Sequence, residues 1–410
     1  MTEVLLNGRL APFGGGNPFD VIEDGALVVG EGHIRWIGNR RQLPEEFRSC
    51  RTHDLGNRLV TPGLVECHTH LIFEGDRGAE RVERCQGRAT YAEQLERGGA
   101  IHSTVRATRN ADYNRLYTQA NERICAFEAR GVTSIEIKSG YGLDIDTELK
   151  LLRIGRKLGD LRKISVRTTL LAGHTYPLDV ERSDFVELVC DQLLPIAFHE
   201  ALADAVEVCC DEVVGLDLDD ASAILETAYR RKVPTRMQAD IFSDSAGAVL
   251  APAFYARAAS HLLHTDAMGV KALKAGGTTA VLLPFVTADL EARSRPPVED
   301  LRREGVPIAI ATGYNPGTAP IIDPLGAARL AMDTFGLSAG EALLGLTVNA
   351  ARALGLVHGQ GTIRPNGVAD LAIWDADHPE ALLAHPRGLD SPLVLIGKRG
   401  PVAEQLRHLV

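Results

Sequence analysis

The sequence predicts an α/β fold: a (β/α)8 TIM barrel, with a small β-sandwich domain built from both chain ends. Three observations carry this. Eight apolar, β-branched runs recur through the middle of the chain with helix-like stretches between them. Nearly every run ends in a polar or glycine-containing group, and barrel active sites lie at the C-terminal ends of the strands. Both chain ends read as short strands broken by turns, with too few strands at either end to close a core alone.

The N-terminal strands are expected at Glu3–Leu6, Gly25–Val29 and His33–Ile37, with GGGNP and EDG as turns between them. The middle runs are Gly63–His70, Thr133–Gly140, Ser165–His174, Ala205–Glu212, Thr235–Asp240, Ala259–His264, Thr278–Pro284 and Ile308–Gly313. Helical spacing is expected over Tyr113–Arg130, Thr147–Leu158, Glu181–Asp204 and Ala221–Arg231. The C-terminal strands are expected at Val368–Trp374 and Leu393–Ile396. Domain boundaries follow: residues 1–60 and 361–410 form the small β-domain, and residues 61–360 form the barrel, because domain termini are often spatial neighbours.

Composition narrows the function classes. The chain has 410 residues, enough for a large core without disulfide or metal staples. With 44 basic against 54 acidic residues, a net charge of −10 argues against nucleic acid as a partner. No run of 18 apolar residues occurs, and MTEVLLNGRL lacks a basic-then-apolar signal pattern, so no membrane partner is expected. The seven cysteines are odd in number and scattered, which points to a reducing, cytoplasmic location. The triple glycine at 14–16 precedes Asn-Pro rather than a helix, so it is not a phosphate cradle.

Four histidines form the first candidate constellation. His68 and His70 alternate on the first run and so face the same side, into the barrel mouth. His174 and His261 also end runs, the third and the sixth. The fourth run supplies a second constellation. Alternation places Glu207, Cys209 and Asp211 on the inward face, with Val206, Val208 and Cys210 outward. Cys209 is then an inward strand-end thiol beside four imidazoles, a candidate nucleophile, although the Asp211 charge opposes thiolate formation. Cys67 neighbours His68 but points away from the histidine pair.

The segments TPGLVECHTH (61–70), GDRGAER (75–81), GGAIHSTVRATR (98–109), EIKSGYGLD (136–144), ATGYNPG (311–317) and TVNAARALGL (347–356) carry a resemblance. In order and nearly end to end, they are similar to imidazolonepropionase, a metal-dependent amidohydrolase that opens the ring of imidazolone propionate. The resemblance implies a homodimer and a small-molecule substrate bearing a carboxylate. It places His68 and His70 at the family's first-strand metal ligands. Arg77, Tyr141 and His174 fall at substrate contacts, His261 falls at the sixth-strand histidine, and Gln238 and Asn315 join the substrate-binding set.

Three positions depart from that pattern. Gln238 stands where the family has a histidine ligand, Gly313 where it has an aspartate ligand, and Ile241 where it has Glu or Gln. A catalytic zinc normally takes three protein ligands plus water, so no cofactor is expected. A single zinc held through His68 and His70 is the alternative. Retained carboxylate and ring contacts, with a cysteine in place of the metal, lead to one expectation. It is attack by Cys209 on a ring carbon bearing sulfur. The chain is also similar to a desulfhydrase of imidazolonepropionase-like sequence, and that resemblance implies hydrolytic desulfuration of 3-(5-oxo-2-thioxoimidazolidin-4-yl)propionate, an intermediate of ergothioneine degradation. His68, His70, His174, His261 and Asp211 are the acid, base and oxyanion-stabilising candidates. The alternatives are metal-dependent ring opening and a non-catalytic binding relative.

Overall fold

A computed structural model describes residues 2–162, 164–290, 294–384, 389–397 and 402–406. The barrel strands, numbered here from its first strand, are β1 (Leu64–Glu66), β2 (Val132–Lys138), β3 (Ser165–Gly173) and β4 (Ala205–Cys210). They continue as β5 (Thr235–Ala239), β6 (Ala258–His261), β7 (Thr279–Leu282) and β8 (Ile308–Ile310). Adjacent strands pair in parallel and in chain order. The ring closes just past the strand ends, where Thr69 bridges Tyr314 and the His70 N–H donates to the Tyr314 carbonyl at 2.8 Å.

The intervening helices follow from capping and spacing. Asp112 caps Tyr113–Ala129, and its buried Leu116, Ala120, Ile124 and Phe127 repeat at helical intervals along one face. Asp144 caps Ile145–Leu161 in the same way. The helix expected over Glu181–Asp204 is shorter and interrupted: Arg182–Leu188 runs through a wide turn at Val189–Leu193 into Leu194–His199. Pro195 has no N–H to return to the preceding turn, which accounts for the widening.

Both chain ends contribute to a separate seven-stranded sheet. It contains Thr2–Leu10, Ile22–Gly30, His33–Asn39, Arg51–Asp54, Leu59–Pro62, Leu371–Trp374 and Val394–Ile396. Alternation fills its two faces differently. Leu5, Leu27 and Val29 pack with Leu371 and Ile373 on one side. Val4, Ala26 and Val28 pack with Leu43 on the other. Trp374 fastens this sheet to the barrel: it is fully buried in the barrel's core cluster, and its indole N–H donates to Thr61 Oγ1 at 2.9 Å.

Beneath the barrel mouth lies a buried charged quartet. Lys138 bridges Glu136 (2.6 Å) and Glu207 (2.5 Å), and Arg236 also pairs with Glu136. Burial alone would raise the Glu136 carboxyl, but Lys138 and Arg236 hold it below its ordinary value. Two positive and two negative groups balance, which is how such a set survives inside a barrel.

Candidate active site

At the C-terminal ends of the strands, side chains from almost every βα unit enclose a cavity of about 510 Å³ of empty space, part of it open to solvent. Its lining includes His68, His70, Arg77, Tyr141, His174, Cys209, Gln238, His261 and Asn315, so nine of the ten sequence candidates converge there. Asp211 is the exception. Its chain position lies one residue past the end of β4, and its carboxylate turns into the loops rather than toward the cavity. Backbone N–H groups of Val213, Val214, Ile241, Phe242 and Ser243 all donate to it. With its oxygens so satisfied, the expectation of Asp211 as an acid or base is corrected to a loop-organising role.

The histidine pair owes its direction to the residue between them. Thr69 Oγ1 donates to the Glu136 carbonyl and the Lys138 N–H donates to the Thr69 carbonyl at 3.0 Å. Thr69 is thereby pinned to β2, and His68 and His70 face inward. Cys67 points the other way, into the apolar layer with Val65, Val281 and Leu283. The His174 ring stacks on His70 at 4.8 Å, while His261 stands edge-on to His68 at 5.8 Å. His261 holds a left-handed backbone, with φ of 74°, an uncommon conformation for a residue with a side chain.

All four rings are neutral at neutral pH. Burial, with repulsion from Lys138 and from one another, holds His68 and His70 well below the usual imidazole range. Burial chiefly brings His174 and His261 down to about 3. The His174 Nδ1 lies 3.2 Å from the Gly140 carbonyl, which can only accept, so Nδ1 carries the proton and Nε2 keeps its lone pair. A neutral imidazole of this kind can take a proton at one nitrogen and give one from the other.

Tyr141 is presented by a turn built on one carboxylate. Glu148 accepts from the N–H groups of Gly140, Gly142 and Leu143, and Gly140 adopts φ of 102° as the chain turns. Opposite, Arg77 donates to Tyr91 Oη (3.3 Å) and Asn315 Oδ1 (3.2 Å). Gly317 lies so close to the guanidinium that a Cβ there would meet Arg77 Cζ at 2.2 Å. Four buried polar atoms of this lining have no hydrogen-bond partner among the described residues: His70 Nδ1, Arg77 Nε, Tyr141 Oη and Gln238 Nε2. Buried polar groups are normally paired, so these four describe the complement of a missing ligand.

Cys209 enters the cavity from β4, beside Gln238 on β5. Its thiol is raised well above the ordinary cysteine value, first by burial and then by the charges of Asp211, Cys210 and Glu207. Its resting form is therefore the thiol. The acidic neighbours oppose the thiolate, as expected of Asp211. Among the described residues, no group of three or more His, Cys, Asp or Glu side chains is arranged to hold a metal ion.

Sequence reasoning missed Lys138, Tyr91 and Phe242. A lysine inside the apolar run VTSIEIK was a visible signal of a buried ion pair. Tyr91 follows the capping box of Thr90 and Glu93, which announces a helix start but nothing about the cavity.

The amidohydrolase family pattern matches residues 187–403. An imidazolonepropionase from Cupriavidus pinatubonensis is 42% identical over 393 residues, covering 95% of this chain and 92% of that protein. Imidazolonepropionases from Paracoccus denitrificans (43%, 89% and 91% covered) and Cereibacter sphaeroides (44%, 92% and 95% covered) are similar to it as well. Among solved structures, an atrazine chlorohydrolase from Arthrobacter aurescens superposes with a TM-score of 0.71. It is 17% identical, over 97% of this chain and 94% of that one, so the likeness is one of fold. The chain belongs to the imidazolonepropionase family of amidohydrolases.

Proposed function

We propose that the protein hydrolyses the thiocarbonyl of 3-(5-oxo-2-thioxoimidazolidin-4-yl)propionate, giving hydantoin propionate and hydrogen sulfide, as a desulfhydrase of ergothioneine degradation. The observation that carries this is the pairing of an inward thiol with an unpartnered amide at positions facing one cavity. The remaining orphaned groups suit the rest of the substrate. Arg77 and Tyr141 offer donors for the propionate carboxylate, and His70 and His174 offer two parallel rings against which a flat ring can lie.

The donor set around His68 and His70 does not suit a catalytic zinc. Gln238 offers a neutral amide, Gly313 offers no side chain, and a zinc site needs three donors with a water. The chemistry therefore runs through this chain's own groups. Cys209 Sγ bonds to C2 as the C=S π pair moves to sulfur, and the thiol proton passes to that sulfur through a neutral imidazole. Gln238 Nε2 donates to the charge developing there. The C2–S bond to the original sulfur then breaks. Sulfur leaves as hydrogen sulfide with the proton of a ring N–H, and a C2=N bond remains. Water adds across the C2=N bond, a histidine carrying one of its protons to the ring nitrogen. The C2–Sγ bond then breaks as the new hydroxyl becomes the carbonyl, and the hydroxyl proton goes to Cys209, which departs as the thiol. The sum is one thiocarbonyl and one water converted to one carbonyl and one hydrogen sulfide.

A second reading is opening of the imidazolone propionate ring, the activity named for the relatives that match this chain along most of its length. One experiment separates them. Purified protein is given the thione in chelator-containing buffer and the imidazolone in zinc-containing buffer, and sulfide and N-formimino-glutamate are measured. Prompt sulfide from the thione supports desulfuration. Formimino-glutamate from the imidazolone, without sulfide from the thione, supports the second reading. No product, with tight binding of both, leaves a binding protein.

A further inference from the structure

The loops after β4 and β5 share one carboxylate. Asp211 Oδ1 accepts from Val213 (3.0 Å) and Val214 (3.3 Å), and Oδ2 accepts from Ile241 (2.9 Å), Phe242 (2.9 Å) and Ser243 (3.4 Å). The first loop then folds back onto its own strand, where the Leu216 N–H donates to the Cys209 carbonyl at 2.8 Å. Gly215 lies flat against the thiol: a Cβ there would sit 2.8 Å from Cys209 Sγ. Through these bonds Val214, Ile241 and Phe242 are set into the cavity lining that also holds Cys209. Phe242 stacks on Tyr91, which accepts from Arg77, and so stands on the Arg77 side of the cavity. Val214, next to Gly215, and Ile241, three residues past Gln238, make the apolar wall beside the strand ends that carry the thiol and the amide.

We infer that this apolar wall, positioned by Asp211, selects a large, weakly hydrated, polarisable ring substituent, a thiocarbonyl sulfur, over the equivalent oxygen. The inference rests on the desulfuration reading. A carbonyl oxygen placed against this wall gives up strong hydrogen bonds to water and meets the Gln238 amide and the imidazole that serves the reaction in return, with apolar side chains on its other sides. A thiocarbonyl sulfur accepts weakly, gives up less, and gains dispersion contact with Val214 and Ile241. The same bias loosens the oxygen-bearing product after sulfide has left. Asp211 acts here as a positioning residue, through the loops and not on the substrate.

The test uses full-length Cys209→Ser protein, which binds without turning over, and calorimetric titration with the thiohydantoin propionate and with the hydantoin propionate. The thione is expected to bind about tenfold tighter or more. Adding Ile241→Gln, which supplies a donor, or Val214→Thr, which adds a hydroxyl at nearly constant shape, lowers that ratio to about threefold or less. Asp211→Asn lowers the ratio as well, whereas a merely destabilising change weakens both ligands alike. A ratio near one in the Cys209→Ser parent overturns the inference. So does an unchanged ratio in the folded Ile241→Gln and Val214→Thr proteins. If Asp211→Asn does not fold, those two variants still decide. Sulfide release by the unmutated enzyme is scored separately. Sulfide with a ratio near one removes the subsite and leaves desulfuration standing; a high ratio without sulfide removes desulfuration and leaves the selective wall.

Discussion

Cys209 and Gln238 are Cα register partners on neighbouring parallel strands, so thiol and amide stand side by side at the wall of one cavity. In the proposed reaction the first forms the bond and the second receives the charge. Cys209→Ala is expected to lower kcat for sulfide release by about a thousandfold or more while substrate still binds. Gln238→Leu, which removes one prepared donor, is expected to lower kcat by about a hundredfold. Equal sulfide release by the Cys209→Ala protein would transfer the chemistry to direct attack by water.

Arg77 is wedged against Gly317 and donates to Tyr91 and Asn315, which leaves Nε for a ligand. Arg77→Lys keeps the charge and loses the planar fork. Its KM is expected to rise by about tenfold to a hundredfold with kcat little changed, the pattern of lost uniform binding. A substrate whose carboxylate is replaced by an amide should show far less difference between the two proteins. Steady-state kinetics on both substrates checks this, and a matching loss on the amide would place Arg77 elsewhere in the mechanism.

His174 and His261 are buried and brought down to about 3, from an ordinary value near 6.5. Between those values the unfolded chain takes up protons that the folded chain refuses. Stability is therefore fully present above about pH 6.5 and is lost as pH falls toward 3, at up to about 1.4 kcal/mol per pH unit for each group. The melting temperature should fall steadily from pH 7 to pH 4.5, and His261→Gln should flatten that slope. A slope unchanged in that variant would mean that His261 is already charged in the folded protein.

The sequence was most informative where chemistry and periodicity coincide. Alternation alone oriented His68, His70 and Cys209 correctly, because a strand has only two faces and one of them faces helices. Asp211 obeyed the same parity but stood one residue beyond β4, where period two no longer applies and five backbone donors decide the direction. The apolar part of the lining was not legible for a related reason. Val214, Ile241 and Phe242 lie in loops, and their placement depends on that distant hydrogen bonding and not on local pattern.

The buried quartet of Glu136, Lys138, Glu207 and Arg236 carries its own prediction. Lys138 holds two carboxylates at once, so Lys138→Met leaves Glu207 without its cation in a fully buried site. Unpairing a buried charge costs about 3–5 kcal/mol. The urea midpoint of the Lys138→Met protein should fall accordingly. The double replacement Lys138→Met, Glu207→Gln should recover part of that loss, since the Glu136–Arg236 pair that remains is neutral.

Gly313 decides how easily the family's carboxylate can return. Its φ is +64°, and a Cβ added there would meet Val286 Cγ2 at 2.8 Å. Gly313→Asp must therefore strain the backbone and move Val286, at a cost of about 1–2 kcal/mol. Gln238→His meets no such obstacle from a left-handed backbone, since Gln238 lies within β5. Gln238→His alone is thus expected to fold normally and to take up zinc on His68, His70 and the new imidazole, held more weakly than when a carboxylate joins them. The double variant Gln238→His, Gly313→Asp is expected to bind zinc and to melt below the parent when metal is withheld. Metal content after dialysis against zinc, together with melting temperatures with and without chelator, measures both effects. Stoichiometric zinc in the unmutated protein, retained through dialysis, would overturn the metal-free reading at its root, because the donor set of His68, His70, Gln238 and Gly313 would then suffice.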